Sequence, residues 1–281
     1  MIHDQDRVLP AVAGLKRIPV TQIVLKGPQL DDYLNESITP SRARVRALSE
    51  EFGPARPELV SMAKLVREPN GGSLRTFSGG LPHENGWLRP YKAKGLVHWQ
   101  GVAQRALVVR TESDFRYDKV STESIYLEVS DGNELFEYTS DVCLTAPNAD
   151  ELVVEVKRDE MDLEDERKRK KYALVAEVLR RSGFRFEILF KDEIFINRHH
   201  RARCELFASR AFVHIDRDHL KRLEAHAFKN DCMSTYGALA EALEPRSPVL
   251  GMGVLQALTI QRRVQIDLTR RLSRDTPIII H

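Results

Sequence analysis

The strongest constraint on the fold is a succession of strand, helix and strand in the middle of the chain. ELVVEVK (151–157) and FRFEILF (184–190) are β-prone runs, and the stretch between them has helical spacing and ends at Gly183. Glycine after the last periodic residue is a common way for a helix to end. The pattern therefore predicts a crossover helix that joins two strands of one sheet.

The segments before this unit extend the prediction. VHWQGVAQRALVVRTES (97–113) has the apolar spacing of an amphipathic helix, and SIYLEV (124–129) and LFEYTSDVCL (135–144) predict a hairpin around the turn SDGNE. APNAD then turns the chain into ELVVEVK. The order of helix, three antiparallel strands, crossover helix and strand predicts an α/β sandwich with a mixed central sheet flanked by helices.

The two ends of the chain differ from this middle. Near the start, ITPSRARVRALSEEFG predicts an amphipathic helix that ends at Gly53, and EPNGGS (68–73) predicts a loop. The C-terminal part predicts helices and then short strands, at 199–209, 217–228, 235–243, 249–261, 264–268 and 277–281. Three helices followed by strands resemble a winged helix-turn-helix.

Composition narrows the class of protein. Of the 281 residues, 42% are hydrophobic and 30% charged, as in an ordinary soluble globular protein with room for two domains. No apolar run approaches the roughly 20 residues that span a bilayer, and the N-terminus lacks the basic-then-apolar order of a signal peptide. The three cysteines are isolated, which favours neither a zinc site nor a disulfide framework, so we expect a cytoplasmic location.

The charges are unevenly distributed. Residues 97–198 hold 16 Lys/Arg against 22 Asp/Glu, whereas residues 1–96 hold 14 against 10 and residues 199–281 hold 13 against 9. An acidic centre between basic flanks suits a metal-dependent site whose polyanionic ligand is held from both sides. Solvated faces produce similar asymmetries.

Three charged residues of the middle segment form a candidate site. Alternation along the strand places Glu155 and Lys157 on one face, and the APNAD turn allows Asp141 on the preceding strand to approach Glu155. Two carboxylates repel each other unless a cation lies between them, and oxygen ligands suit Mg²⁺ or Mn²⁺. Lysine can stabilise a phosphoryl group or orient a water. The alternatives are a strand end at Asp141 and an exposed ladder pair at Glu155 and Lys157.

Asp141 followed by Glu155-Val-Lys157 resembles the signature of the PD-(D/E)xK nuclease superfamily, and the order of helices and strands resembles its restriction-endonuclease-like core. More narrowly, RTFSGGLPHENGWLRPYKAKGLVHW (75–99), QRALVVRTESDF, FEYTSDVCL and LVVEVK resemble TnsA-type endonuclease subunits of heteromeric transposases. TYGALAEAL and VLQALTIQRRVQIDL resemble the winged-helix half of that family. The similarity covers roughly residues 75–281.

The resemblance implies a division of the chain and a function. It implies an N-terminal extension of unclear role (1–74), a nuclease domain (75–198) and a winged-helix-like domain (199–281). It also implies a Mg²⁺-dependent DNA endonuclease that cuts the 5′ ends of a mobile element, with a DDE-type transposase and an AAA+ ATPase as partners. Asp141 and Glu155 would hold the metal and Lys157 would assist the water or the phosphate.

The sequence departs from the family pattern at one position. The first core helix of the family carries a catalytic Glu, but Gln104 stands there, with Gln100 one turn earlier. We expect Gln104 to support the site through its amide, with a place on the helix surface as the alternative, and Glu112 to be solvated. Two other functions therefore stay open: a catalytically impaired DNA-binding adaptor, and a stand-alone restriction or repair nuclease.

Two further segments bear on DNA binding. The basic run ERKRKK (166–171) follows an acidic turn, so i,i+4 pairs within the helix explain much of it, and Lys170 and Lys171 are the best candidates for phosphate contacts. The presumed recognition helix offers few groups for reading bases, so we expect phosphate or protein contacts from it: Gln256, Gln261, Arg262 and Arg263. His199 and His200 are predicted to be surface residues.

Overall fold

The structure is a computed structural model that describes residues 60–68, 71–74 and 84–281, together with the backbone of residues 16 and 17. The helix predicted before Gly53 lies outside the described residues. So do residues 75–83 of the segment that leads into the first core helix, and residues 69 and 70 of the predicted loop.

The described residues form a mixed α/β structure. The helices are α1 (Val102–Ser113), α2 (Glu166–Arg181), α3 (Arg198–Ser209), α4 (Arg217–Lys229), α5 (Tyr236–Leu243) and α6 (Pro248–Ile260). The strands are β1 (Lys16–Arg17), β2 (Met62–Arg67), β3 (Asn85–Leu88), β4 (Val97–Gln100), β5 (Lys119–Thr122), β6 (Ile125–Ser130), β7 (Leu135–Thr139), β8 (Val142–Thr145), β9 (Glu151–Lys157), β10 (Phe184–Phe190), β11 (Met233–Thr235), β12 (Val264–Ile266) and β13 (Pro277–Ile280). Among these helices, none is long and apolar enough to cross a membrane.

A four-stranded mixed sheet lies at the centre of the α/β part. Its strand order is β10-β9-β8-β5, in which β9 and β10 run parallel and the other pairs are antiparallel. Helix α2 is the crossover between β9 and β10; it begins at the N-cap Asp165, whose side chain accepts backbone N–H bonds, and it is followed by Gly183 at φ 87°. The predicted α/β class, with its mixed sheet, is confirmed.

The predicted strand 135–144 is in fact two strands in two different sheets. β7 pairs with β6 in a sheet of order β1-β2-β6-β7, whereas β8 joins the mixed sheet. The chain changes sheets at Ser140, which exchanges two hydrogen bonds with the backbone of Ile125: Ser140 N donates to its carbonyl at 2.9 Å and Ser140 Oγ accepts from its N–H at 3.1 Å. The mixed sheet instead gains β5, a strand that was not predicted because KVST has only one aliphatic residue.

The predicted helix 97–113 is also shorter than expected. Residues 97–100 form β4, which pairs with β3, and the helix begins only at Val102. Gly101 separates them at φ 81°, a conformation that glycine adopts without steric cost. VHWQ therefore had helical spacing by coincidence.

The mixed sheet is buried on both faces. Val153 packs in one core with α2 and the β6–β7 sheet, while Leu152 and Val154 pack in another core with α1. A separate core fills the C-terminal part, where α3 to α6 pack with the sheet β11-β13-β12. These helices begin and end within one residue of the predicted bounds.

Two of the four residues proposed for outward contacts from the last helix make contacts within the fold instead. Gln256 is buried and its Nε2 donates to the Tyr236 hydroxyl at 2.7 Å. Arg262 donates to the carbonyl of Phe115 at 2.8 Å and lies 4.6 Å from that ring. The prediction of outward contacts from Gln256 is wrong, because the helix turns this side towards its own core.

Candidate active site

The antiparallel register of β8 and β9 brings Asp141 and Glu155 together. Val142 pairs with Val154, so Asp141, one residue before β8, lies opposite Glu155. Asp141 Oδ2 accepts a hydrogen bond from the backbone N–H of Val156 at 2.7 Å. The change of sheet at Ser140 thus delivers Asp141 to a position beside Glu155 of β9.

Lys157 and Tyr172 complete the surroundings of Glu155. Lys157 Nζ forms an ion pair with Glu155 Oε1, and the Tyr172 hydroxyl donates to the same oxygen at 2.9 Å. The Lys157 ammonium lies 5.0 Å from the centre of the Tyr172 ring. Glu155 is only 5% exposed, so the alternative of an exposed ladder pair is wrong.

The second oxygen of Glu155 is the most informative atom of the site. Oε2 is buried and accepts no hydrogen bond from the described residues. The hydroxyl of Tyr138 is also buried without such a partner, and the charges of Glu155 and Asp141 act on it. Buried polar atoms are nearly always satisfied, so an orphan carboxylate oxygen indicates that a ligand, an ion or a water belongs there.

The electrostatics of the site reflect two carboxylates placed together. Burial, and then the negative charge of Glu155, raise the pKa of Asp141 to about 8. Burial alone would lower the pKa of Lys157, but the charge of Glu155 outweighs it and raises that pKa above its ordinary value. The site therefore keeps its lysine protonated and disfavours a second negative charge.

Gln104 is part of the site's support rather than of the helix surface. It is 2% exposed, and its Nε2 donates to the backbone carbonyl of Asp141 at 2.6 Å. Its Oε1 accepts the backbone N–H of Gln100. Both ends of the amide are thus hydrogen-bonded to main-chain groups. Gln104 therefore fixes the position of Asp141, and its side-chain oxygen is already engaged in a hydrogen bond.

A third carboxylate, Glu123, was missed by the sequence analysis. It lies between β5 and β6 at φ 50°, is 4% exposed, and its N–H donates to the Asp141 carbonyl at 3.3 Å. Its carboxylate accepts from Gln100 Nε2 at 2.6 Å and Ser73 Oγ at 3.0 Å, and lies 3.4 Å from His98 Nδ1. Nothing in the letters STESIY marks this position, because a left-handed backbone at Glu has no sequence signature.

Two other predictions about polar residues are wrong. Glu112 is buried, not solvated, and accepts the backbone N–H groups of Tyr91 and Lys92 at 2.7 and 3.0 Å. His200 is buried against α1, and its Nδ1 accepts from the N–H of Ile196 at 3.3 Å, while His199 is exposed as predicted. The two corrections have different causes: Glu112 is buried against the backbone of residues 91 and 92, whereas His200 is buried where helices α1 and α3 pack against each other.

The donor set fits a small divalent cation. Asp141 and Glu155 supply carboxylate oxygens, the ligands that Mg²⁺ and Mn²⁺ prefer, and one of those oxygens is the buried orphan. Within the described residues, no group of three or more His, Cys, Asp or Glu side chains is placed to hold a metal ion. Two protein carboxylates leave further coordination positions for waters and phosphate, as Mg²⁺ sites commonly do.

A scan against protein-family models finds no matching family, and a search of curated proteins finds no significant match.

Proposed function

We propose that this chain is a divalent-metal-dependent DNA endonuclease of the TnsA type, with a restriction-endonuclease-like core and a winged-helix-like C-terminal half. In this proposal it hydrolyses phosphodiester bonds at the 5′ ends of a mobile element, next to a DDE-type transposase and an AAA+ regulator. The observation that carries the proposal is the group formed by the buried Glu155 and the half-buried Asp141 and Lys157, on β9 and just before β8, with an unsatisfied carboxylate oxygen on Glu155.

Each side chain has a distinct task in this proposal. Asp141 and Glu155 would hold Mg²⁺, which polarises the phosphate and lowers the pKa of a bound water. Lys157, kept charged by Glu155, would stabilise negative charge on the phosphoryl group. Tyr172 holds Glu155 in place by its hydrogen bond, and Gln104 holds the main chain of Asp141.

The test is nicking of DNA that carries the element ends, with Mg²⁺ and the partner transposase. We expect Asp141→Ala and Lys157→Ala to abolish nicking, and chelation to do the same. Lys191→Ala is the matched control, because Lys191 is exposed and directly follows Phe190, the register partner of Lys157 on β10. Nicking that survives both site substitutions contradicts the proposal, and nicking without any partner favours a stand-alone nuclease.

One observation favours a catalytically impaired DNA-binding adaptor. Both ends of the Gln104 amide are bonded to main chain, so the helix that carries a catalytic Glu in the resembling family offers no free ligand here. An adaptor predicts DNA binding that is indifferent to divalent metal, with no nicking under any condition. Restored or increased nicking by Gln104→Glu would separate a weakened nuclease from an adaptor.

A further inference from the structure

Four of the five basic residues at the start of α2 form two pairs with different surroundings. Arg167 forms an ion pair with Glu134 and Lys170 with Asp131, and both acids lie at the β6–β7 turn. The same two cations lie 5.4 and 5.7 Å from the ring of Phe136. The expected pairing within the helix is therefore wrong for these residues, because they hold the hairpin turn against α2.

The second pair faces the candidate site. Lys171 Nζ lies 5.9 Å from the ring centre of Tyr138 and 6.0 Å from that of Tyr172. Tyr172 is the residue that bonds Glu155, and Lys157 approaches the same ring. Lys171 thus extends the positive charge of Lys157 from the buried carboxylates towards the surface.

Lys168 extends the positive charge of Lys157 and Lys171 further towards the surface. It precedes Lys171 by three residues and Tyr172 by four, so the three side chains share one face of the helix. Lys168 is exposed and forms no ion pair with the described residues. Because no ion pair with a described residue neutralises the Lys168 ammonium group, its positive charge can attract an incoming anion.

We propose that Lys168 and Lys171 bind successive phosphates of a DNA strand and lead it to Asp141 and Glu155. This inference rests on the proposed function, since it names the path by which the substrate reaches that site. Ammonium groups contact phosphates as point charges and fix the register of the strand without reading its bases. Arg167 and Lys170 lie outside the path because the hairpin turn neutralises them.

The test measures DNA binding separately from cleavage. In an Asp141→Asn background, the affinity for a mixed-sequence duplex is titrated from roughly 50 to 200 mM salt. We expect the Lys168→Gln/Lys171→Gln pair to weaken binding and to reduce the slope of log K against log salt by about 1.8, since each lost phosphate contact removes about 0.9. The matched pair Arg167→Gln/Lys170→Gln removes the same charge from the same helix and should change the slope by less than half as much.

Three outcomes overturn the inference. An unchanged slope in the first pair shows that these lysines do not contact phosphate, and equal changes in both pairs show only a general effect of charge. Normal DNA binding by the Lys168→Gln/Lys171→Gln pair together with weakened binding of the partner transposase shows that this face binds a protein. None of these results affects the proposed function, which fails instead if nicking by the otherwise native chain survives Asp141→Ala and Lys157→Ala.

Discussion

The α/β part and the C-terminal helical part bury different kinds of side chain. Residues 84–195 bury six charged side chains, namely Lys92, Glu112, Glu123, Glu155, Glu177 and Arg181. In residues 198–281 the buried polar residues are His200, Gln256, Thr259 and Thr276, none of them Asp, Glu, Lys or Arg. A buried charge lowers stability unless it is paired. The α/β part therefore accepts a cost in stability at its buried charged groups that the C-terminal part avoids.

Within the α/β part the buried charges again fall into two kinds. Glu177 pairs with Arg181 on α2, and Glu112 is satisfied by backbone N–H groups, so these contribute to the fold. Asp141 and Glu155 instead place like charges together around an orphan oxygen. The helical part, by comparison, is optimised for packing, and its most sensitive positions should be steric.

The largest effect on stability is expected at a helix contact in the C-terminal part. A Cβ on Gly251 of α6 would lie 1.9 Å from the carbonyl oxygen of Ala240 on α5, so Gly251→Ala must separate the helices. We expect a loss of at least about 3 kcal/mol, measured by denaturant unfolding.

Gly253→Ala on the same helix is the control. Apart from its own helix backbone, no atom of the described residues lies within 4 Å of its Cβ position, and alanine favours a helix interior, so we expect a gain of about 0.5–1 kcal/mol. Equal effects at the two glycines would contradict the close approach of α5 and α6.

In the α/β part the corresponding experiment should uncouple stability from activity. Asp141→Asn removes a carboxyl whose ionisation is opposed by burial and by the charge of Glu155, and keeps an oxygen that can accept from Val156. Without metal at neutral or higher pH, we expect this variant to be more stable by about 1–2 kcal/mol and to lose cleavage. Glu177→Gln, which removes the ion pair between Glu177 and Arg181 on α2, should destabilise the protein instead. A destabilised Asp141→Asn protein would show that this carboxylate serves the fold.

The same contrast explains what could be predicted from the sequence. The strand–helix–strand unit and the terminal helices follow from periodicity and end signals, and these elements lie where they were expected. The grouping of Asp141, Glu155 and Lys157 follows from alternation along β9 and a short turn. Each of these patterns involves residues that are close together in the sequence, so it can be recognised without the tertiary structure.

The errors concern information that local patterns do not carry. The sheet change at Ser140 depends on hydrogen bonds with Ile125, 15 residues away. Glu123 enters the site through a left-handed backbone conformation, and Gln104 finds its partner at Asp141, 37 residues later. The run ERKRKK pairs with a hairpin turn that precedes it by more than 30 residues. Tertiary contacts decided each of these cases.

A smaller effect on nicking is expected at Glu123, which supports the site. Glu123→Gln keeps one acceptor oxygen for Gln100, places an amide donor near the Ser73 hydroxyl, and removes the charge that acts on Asp141. Because Glu123 reaches Asp141 through its backbone and through Gln100 and Gln104, we expect nicking to fall about tenfold with the fold intact. Circular dichroism and the nicking rate check the two statements.

Glu123→Gly is the companion variant. Glycine accepts φ 50° without strain, so the backbone should survive while the carboxylate is lost. A nicking rate equal to that of the unmodified chain in both variants would remove Glu123 from the site.

The smallest expected effect is a pH dependence of the unfolding free energy at His200, where the helical part meets the α/β part. Burial, and then the charge of Arg110, lower the pKa of His200 to about 4. The neutral imidazole is thus favoured in the folded state, so its contribution is complete above pH 6.5 and is lost as pH falls from 6.5 towards 4. We expect the difference in unfolding free energy between the unmodified chain and His200→Gln to shrink by about 1 kcal/mol over that range. His199→Gln, at an exposed neighbour on the same helix, is the control. A constant difference for His200→Gln across this range would mean that the α1–α3 contact admits the charged imidazole, and that even the helical part tolerates charge where it meets the α/β part.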